Sequence, residues 1–302
     1  MTNRQFYGGQ AVMEGVLMRG VSHIAVAVRR PRGDIALRVE PVLFWSAGRL
    51  RRIPFLRGIL ILAETLVVGM KALQWSTNVA LEHEEEEVSG RQIALIAGIS
   101  LVVAGVIFFA TPALLAGFTE GWLHPVLVHL VEGAIRIGLL LGYLWLIGRM
   151  ADVRRLFAYH GAEHKTIHAY EAGAPLDVTE IQRFSPAHPR CGTSFLLTVM
   201  VVSLLVFALL GQPPVEWRLL SRIILLPLIA GASYEILRFG AIHLGKRWVW
   251  LTVAPGLALQ RLTTRQPDDH QVEVALASFN ALRAAEAAGA RATAETGFEI
   301  NA

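Results

Sequence analysis

The chain has 302 residues, of which 54% are hydrophobic and only 17% charged. That balance is too apolar for an ordinary soluble domain and predicts a polytopic membrane protein. The net charge of +4 does not call for nucleic acid as a partner, because the Arg residues are spread along loops that flank apolar stretches, as positive-inside topology requires.

Residues 1–54 read as a cytosolic Gly-rich block followed by a small β-hairpin. Met1 to Gln10 is polar and lacks the apolar region of a signal peptide. Tyr7-Gly-Gly-Gln-Ala-Val-Met-Glu-Gly-Val-Leu-Met-Arg-Gly is not a G-x-G-x-x-G phosphate loop. It is either a glycine-rich turn feeding the hairpin or a place of close backbone approach to a partner or ligand. Ile24-Ala-Val-Ala-Val-Arg and Ile35-Ala-Leu-Arg-Val-Glu are apolar and β-branched, and Arg30-Pro-Arg-Gly-Asp between them is a turn sequence.

Residues 55–91 predict an interfacial helix and an acidic flank. Phe55–Leu73 is about one membrane thickness long but carries Arg57, Glu64 and Lys71, spaced by seven, as one polar stripe. A spanning helix here would leave the Arg-rich segment before it outside, so an amphipathic or re-entrant helix at the inner surface is expected. Glu82 and Glu84–Glu87 follow as a solvated flank or a partner contact.

Residues 92–148 hold the first two predicted spans. No charge lies between Arg91 and Glu120, and Trp122 to Ile147 is interrupted by His129, Glu132 and Arg136 at i, i+3 and i+7. Such intramembrane charges pair and face the protein interior. They would serve either as packing ion pairs or as the polar pathway of a small-solute carrier. After the cytosolic loop 149–190, residues 191–245 hold the third span, Cys191 to Gln212, and the fourth, about Leu219 to Ile242 with Pro227 inside. The basic residues cluster before Arg91, between Arg149 and Arg190, and after His243. Four spans then place both termini in the cytosol of a cell (inner) membrane. Residues 246–302 read as an interfacial segment, a helix opening at Asp268 with Val272, Leu276, Phe279 and Leu282 on its apolar face, and a disordered tail. The expected fold class is therefore a mainly α membrane protein with four transmembrane helices, an interfacial amphipathic helix and a small cytosolic N-terminal β-hairpin.

The residues that look like chemistry lie between Tyr159 and Tyr170, Tyr-His-Gly-Ala-Glu-His-Lys-Thr-Ile-His-Ala-Tyr. On a helix, His160, His164 and His168 share a face with Glu163. His160, Glu163 and His164 have the H-x-x-E-H form of inverted zinc peptidases, in which two His bind the metal and Glu polarises water. The plainer alternative is a helix whose His and Glu hydrogen-bond one another at a membrane surface. A two-His site needs a third ligand, and His188 and Cys191 in Ala187-His-Pro-Arg-Cys-Gly-Thr, or the nearer Glu171, supply candidates. Cys191 is the single cysteine, so no disulfide can form within the chain and a reduced thiolate is available. The candidate set is thus His160, His164, His188 and Cys191 for a divalent metal, zinc by donor type, with Glu163 as general base.

Gly8-Gly-Gln-Ala-Val-Met-Glu-Gly-Val-Leu-Met-Arg-Gly, Tyr159-His-Gly-Ala-Glu-His-Lys, His188-Pro-Arg-Cys-Gly-Thr-Ser-Phe and Leu262-Thr-Thr-Arg-Gln-Pro-Asp-Asp resemble the bacterial YqhQ family. The resemblance covers roughly residues 5 to 285. It implies an integral membrane protein of a domain-of-unknown-function family, labelled a metal-dependent enzyme but without an established activity. His160, Glu163, His164, His188 and Cys191 fall in its blocks. Two classes of function follow. One is a membrane-embedded metal-dependent hydrolase acting on a lipid-linked or membrane-adjacent substrate. The other is a non-catalytic scaffold or accessory subunit that docks a membrane-protein partner, such as protein-insertion machinery.

Overall fold

The computed structural model describes residues 7–42, 53–82, 89–211, 213–243, 246–247 and 249–299, without the side chains of residues 215 and 290–299. Four strands, β1 (Gly8–Val12), β2 (Gly15–Arg19), β3 (His23–Arg29) and β4 (Ile35–Pro41), form an antiparallel meander in the order β1-β2-β3-β4. The expected hairpin is β3–β4, turned at Gly33 with φ +100°. The Gly-rich block is not a loop leading into it. It supplies two further strands, joined by Met13-Glu14 with Glu14 at φ 50°.

Both faces of the two central strands, β2 and β3, are buried, which is why they read as apolar runs, whereas the edge strand β4 is largely exposed. Val16, Met18, Ala25 and Ala27 point to one side and pack on helices α5 (Ala151–Ala172) and α10 (Asp269–Glu299) through Tyr159, Ala162, Val272, Phe279 and Leu282. Leu17, Ile24, Val26 and Val28 point to the other and meet Val68 and Ala72 of α1 (Leu56–Ala80). The period-2 alternation of a strand separates the two sets.

Helix α1 extends past the expected Leu73, and two of the three residues of its polar stripe are engaged in contacts while Lys71 is exposed. Arg57 Nε donates to Glu235 Oε1 at 2.6 Å, and buried Glu64 pairs with Arg19 of β2 at 3.0 Å. Glu84–Glu87 of the acidic run lie outside the described residues. The last dozen or so residues, expected as a disordered tail, are instead helical as far as Glu299, where α10 ends, and residues 300–302 lie outside the described residues.

Three apolar segments are long enough to cross a membrane. The first is Gly90–Gly117, built from α2 (Gly90–Gly105), a π-helical turn (Val106–Ala110) and α3 (Thr111–Gly117). The others are α4 (Pro125–Ile147) and Glu216–Ile242 of α8 (Val215–Ile242). The segment expected as the third span is the shorter apolar helix α7 (Thr193–Leu209). Its beginning is spent on a turn around Cys191, and Gly211 at φ +66° follows its end.

The π turn has a local cause. Pro112 has no N–H, so the Phe108 carbonyl loses its helical donor, and Arg136 Nε takes it at 2.9 Å. Arg136 also donates to Ser203 Oγ at 2.9 Å and to Glu132 Oε1 at 2.5 Å. Arg222 of α8 reaches both Glu132 oxygens, at 2.9 and 2.8 Å. Phe207 sits beside both guanidinium groups, with its ring centroid 4.0 Å from Arg222 Cζ and 5.5 Å from Arg136 Cζ. Glu132 and Arg136, which motivated a carrier, are thus bound to each other and to three neighbouring segments.

Removing one partner of a buried ion network costs about 3–5 kcal/mol, whereas an exposed pair is worth about 1 kcal/mol or less. Glu132→Ala should therefore lower thermal stability in detergent far more than Glu235→Ala, whose pair with Arg57 is partly solvated. Equal losses would show that the Glu132 network does not hold the bundle.

Candidate metal centre

Helix α5 carries the histidine cluster as expected, and Ala158, Tyr159, every residue from Gly161 to Ile167, and Ala169 are buried on it. The helix enters through Glu14 of the β1–β2 turn, whose carboxylate binds Arg155 at 2.6 Å and accepts from Tyr159 Oη at 3.2 Å. Gly161 then lets two segments close on the helix. A Cβ there would collide with the Arg265 carbonyl oxygen and lie 3.3 Å from Pro186 Cβ.

Those two segments orient the histidines. His160 Nδ1 bonds the Thr263 carbonyl at 2.9 Å, at the end of α9 (Val249–Thr263), and His164 Nδ1 bonds the Pro186 carbonyl at 2.6 Å. A carbonyl on Nδ1 requires the proton there and leaves Nε2 as the lone-pair donor, the usual arrangement behind a metal-ligating His. His160 Nε2 lies 3.2 Å from Cys191 Sγ, and one ligand atom from each of His160, His164 and Cys191 falls within 4.8 Å of the others. Cys191 is placed by Thr193, whose N–H approaches Sγ at 3.4 Å and whose Oγ1 lies 3.2 Å away.

The four expected ligands are therefore divided three and one. His188 is buried close by, its ring centroid 5.7 Å from that of His164, but both of its nitrogens are engaged. Arg190 N–H donates to His188 Nδ1 at 3.2 Å, and His188 Nε2 faces Glu171 Oε2 at 3.4 Å. Glu171, the nearer candidate, is also ion-paired with Arg190. His168 bonds the Ser185 carbonyl at 3.1 Å and stacks near His188 at 4.4 Å. Neither belongs to the converging group.

Glu163 is buried beside the cluster. Burial, reinforced by Cys191, pushes its carboxyl up to about 8, against the opposing pull of His160 and a hydrogen bond from the Gly9 N–H of β1. At neutral pH it is mostly a neutral acid that can hold a proton next to the three donors. Burial and neighbouring His160 hold the His164 ring well below the usual imidazole range, so it is neutral and competent as a ligand. Burial pushes the Cys191 thiol up, against the hydrogen bonds of Thr193. A nearby cation would offset that burial effect and favour the thiolate.

Sequence reasoning did not identify Gly9, Gln260, Thr193 or the Thr263 and Pro186 carbonyls. Gln260 clamps the His188 loop, accepting from His188 N–H at 2.8 Å and donating to its carbonyl at 2.9 Å. The Gly block and Leu262-Thr-Thr were visible as motifs, and the structure explains both by what their backbones touch.

Fold and site together define a mostly helical protein with membrane-length apolar helices and a His-His-Cys cluster under a small, doubly covered sheet. The family described as "Protein of unknown function (DUF1385)" matches residues 53–285, and the chain belongs to that family. Uncharacterized protein YqhQ of Bacillus subtilis (strain 168) is 36% identical over 300 residues, covering 93% of each chain. No solved structure matches.

The two glycines of β1 offer a paired test. A Cβ on Gly9 would collide with the Leu17 carbonyl oxygen and press on the Glu163 side chain at 3.1 Å, whereas Gly8 has open space. Gly9→Ala should cost about 1–3 kcal/mol by overpacking, and Gly8→Ala should stay within about 0.5 kcal/mol of the parent. Comparable thermal unfolding of the two variants would show that β1 does not bear on Glu163.

Proposed function

We propose that His160, His164 and Cys191 hold one divalent metal ion, zinc by the donor set, and that the centre is hydrolytic. The observation that carries this reading is the convergence of three donor atoms within 4.8 Å, with both imidazoles pinned by backbone carbonyls on Nδ1. Two nitrogens and one sulfur suit a borderline-soft ion. Three protein ligands leave a further position, which distinguishes a catalytic from a structural zinc site, and His188 is engaged elsewhere.

When bound, such an ion lowers the pKa of water and polarises a carbonyl or phosphoryl oxygen. The chain supplies the rest. The Thr263 and Pro186 carbonyls orient the donors, and burial keeps His164 neutral. Glu163, held beside the donors by the Gly9 N–H, would act as general base once a bound cation lowers its raised carboxyl, taking a proton at its carboxyl oxygen and returning it.

The reading extends to location. The three membrane-length segments and α7 cross the cell inner membrane as four spans, with both termini cytosolic. The distribution of Lys and Arg along the chain supports this orientation. At about 26 Å, α7 is close to the hydrocarbon thickness. The metal centre then faces the cytosol at the membrane surface.

Elemental analysis of the purified full-length chain should find about one zinc-class metal per chain. His164→Ala and Cys191→Ser should lose it, while His188→Gln should keep it. Cobalt substitution adds a separate readout, since thiolate-to-metal charge-transfer absorption should appear in the parent and vanish in Cys191→Ser. Absence of metal from the parent overturns the centre. Bound metal without hydrolysis of any lipid-linked or peptide substrate would favour a metal-stabilised scaffold that docks a membrane-protein partner.

A further inference from the structure

A groove of about 1000 Å³ runs between α9 and the loop before Cys191. One wall is apolar, formed by Trp250, Ala254, Leu257 and Ala258 of α9. At the far end of the helix, Arg261 and Arg265 line the same groove, and His168 lies across from them. The lining contains no Asp or Glu.

We propose that this groove binds an anionic glycerophospholipid of the inner leaflet, with its acyl chain along α9 and its phosphate between Arg261 and Arg265. Three independent features favour that occupant. The first is the separation of character along one helix, apolar from Trp250 to Ala258 and basic from Arg261 onward. The rise from Trp250 to Arg261 is about 16 Å, close to one leaflet of hydrocarbon.

The second feature is charge. Arg265 Nη1 donates to the Arg261 and Thr264 carbonyls, and among the described residues neither guanidinium has a carboxylate partner. Two adjacent cations without a counter-charge, in a groove without acidic lining, complement the phosphate of a lipid headgroup that carries net negative charge. A zwitterionic headgroup would bring its own ammonium into the same field. The third feature is placement. Buried Leu259 on the opposite side of α9 packs with Leu140 and Leu144 at the end of α4. On the groove side Trp250 is 48% exposed. Exposed Trp and Arg are both residue types enriched where a protein meets the membrane interface.

The groove shares walls with the histidine cluster. Ser185 and Pro186 line it, and their carbonyls fix His168 and His164. A phospholipid seated here would have its headgroup beside the candidate centre, yet the inference does not require the metal.

The test uses the full-length protein in neutral detergent with a phosphatidic acid analogue that carries a photoreactive group in its acyl chain. Crosslinked peptides should map to α9. Labelling should fall about tenfold or more in the double variant Arg261→Glu, Arg265→Glu. It should remain at parent level in Arg154→Glu, a surface substitution on α5 away from the groove. Ala258→Trp, which fills the apolar wall without changing charge, should also reduce labelling. Elution profile and thermal unfolding of each variant establish that it is folded. Unlabelled phosphatidylglycerol should compete, and phosphatidylcholine should compete poorly. Undiminished labelling in both groove variants would overturn the proposal. So would equal competition by phosphatidylcholine, or by inorganic phosphate, which would mark a soluble anion site. Labelling should persist in His160→Ala, so the lipid groove and the metal centre can fail separately.

Discussion

Helix α5 buries Glu163, His164, Lys165 and Thr166 in succession, and a polar run can stay buried only if each group finds a partner. The partners are almost all backbone. Lys165 Nζ donates to the Gln182 carbonyl at 2.7 Å, Thr166 Oγ1 to Ala162 at 2.9 Å, and Glu163 receives the Gly9 N–H. His164 and His168 take the Pro186 and Ser185 carbonyls, and His160 takes that of Thr263. Because these consecutive residues point all round the helix, satisfying them dictates the course of three other segments: β1, the loop from Gln182 to His188, and the end of α9. The position of Cys191 follows from the loop's path, because the chain must turn back into α7 directly after it.

This constraint explains what could and could not be read from residue order. The apolar helices were legible, because a long charge-free run such as that between Arg91 and Glu120 has few alternatives. So was the β3–β4 hairpin, where Pro31 and Gly33 punctuate two β-branched runs. The first two strands were obscured by their glycines. Gly9 and Gly15 are there because neighbouring backbones come too close for a side chain, a requirement that resembles turn chemistry when seen only as letters. The π turn was likewise hidden, although Pro112 and Phe108 stand at the i and i−4 positions that produce it.

Within the site, residue types were legible and partners were not. His188 and Cys191 looked equivalent as third ligands because both have suitable donors at a plausible distance along the chain. What separates them is the environment of the His188 ring, which is occupied on one side by a backbone N–H and on the other by Glu171. Arg190, two residues away, supplies the first contact and pairs with the second partner. The orienting carbonyls of Thr263 and Pro186 leave no signature in side-chain chemistry at all. They become visible only once Gly161 is seen to admit the two backbones.

The end of α9 is where the two halves of the molecule become inseparable. Leu259 is buried against α4 and α7 residues, Gln260 clamps the His188 loop, and Thr263 orients His160, all within two helical turns. Arg265 N–H then returns to the Phe157 carbonyl of α5 at 2.9 Å. A shift of α9 relative to the bundle must therefore move the His160 ring or break its bond to Thr263. The sheet, α5 and α10 could in principle cover the cluster by themselves, but they cannot orient it. The orientation of His160 comes from a helix anchored among the apolar helices, so the geometry of the candidate centre depends in part on the packing of the bundle beneath it.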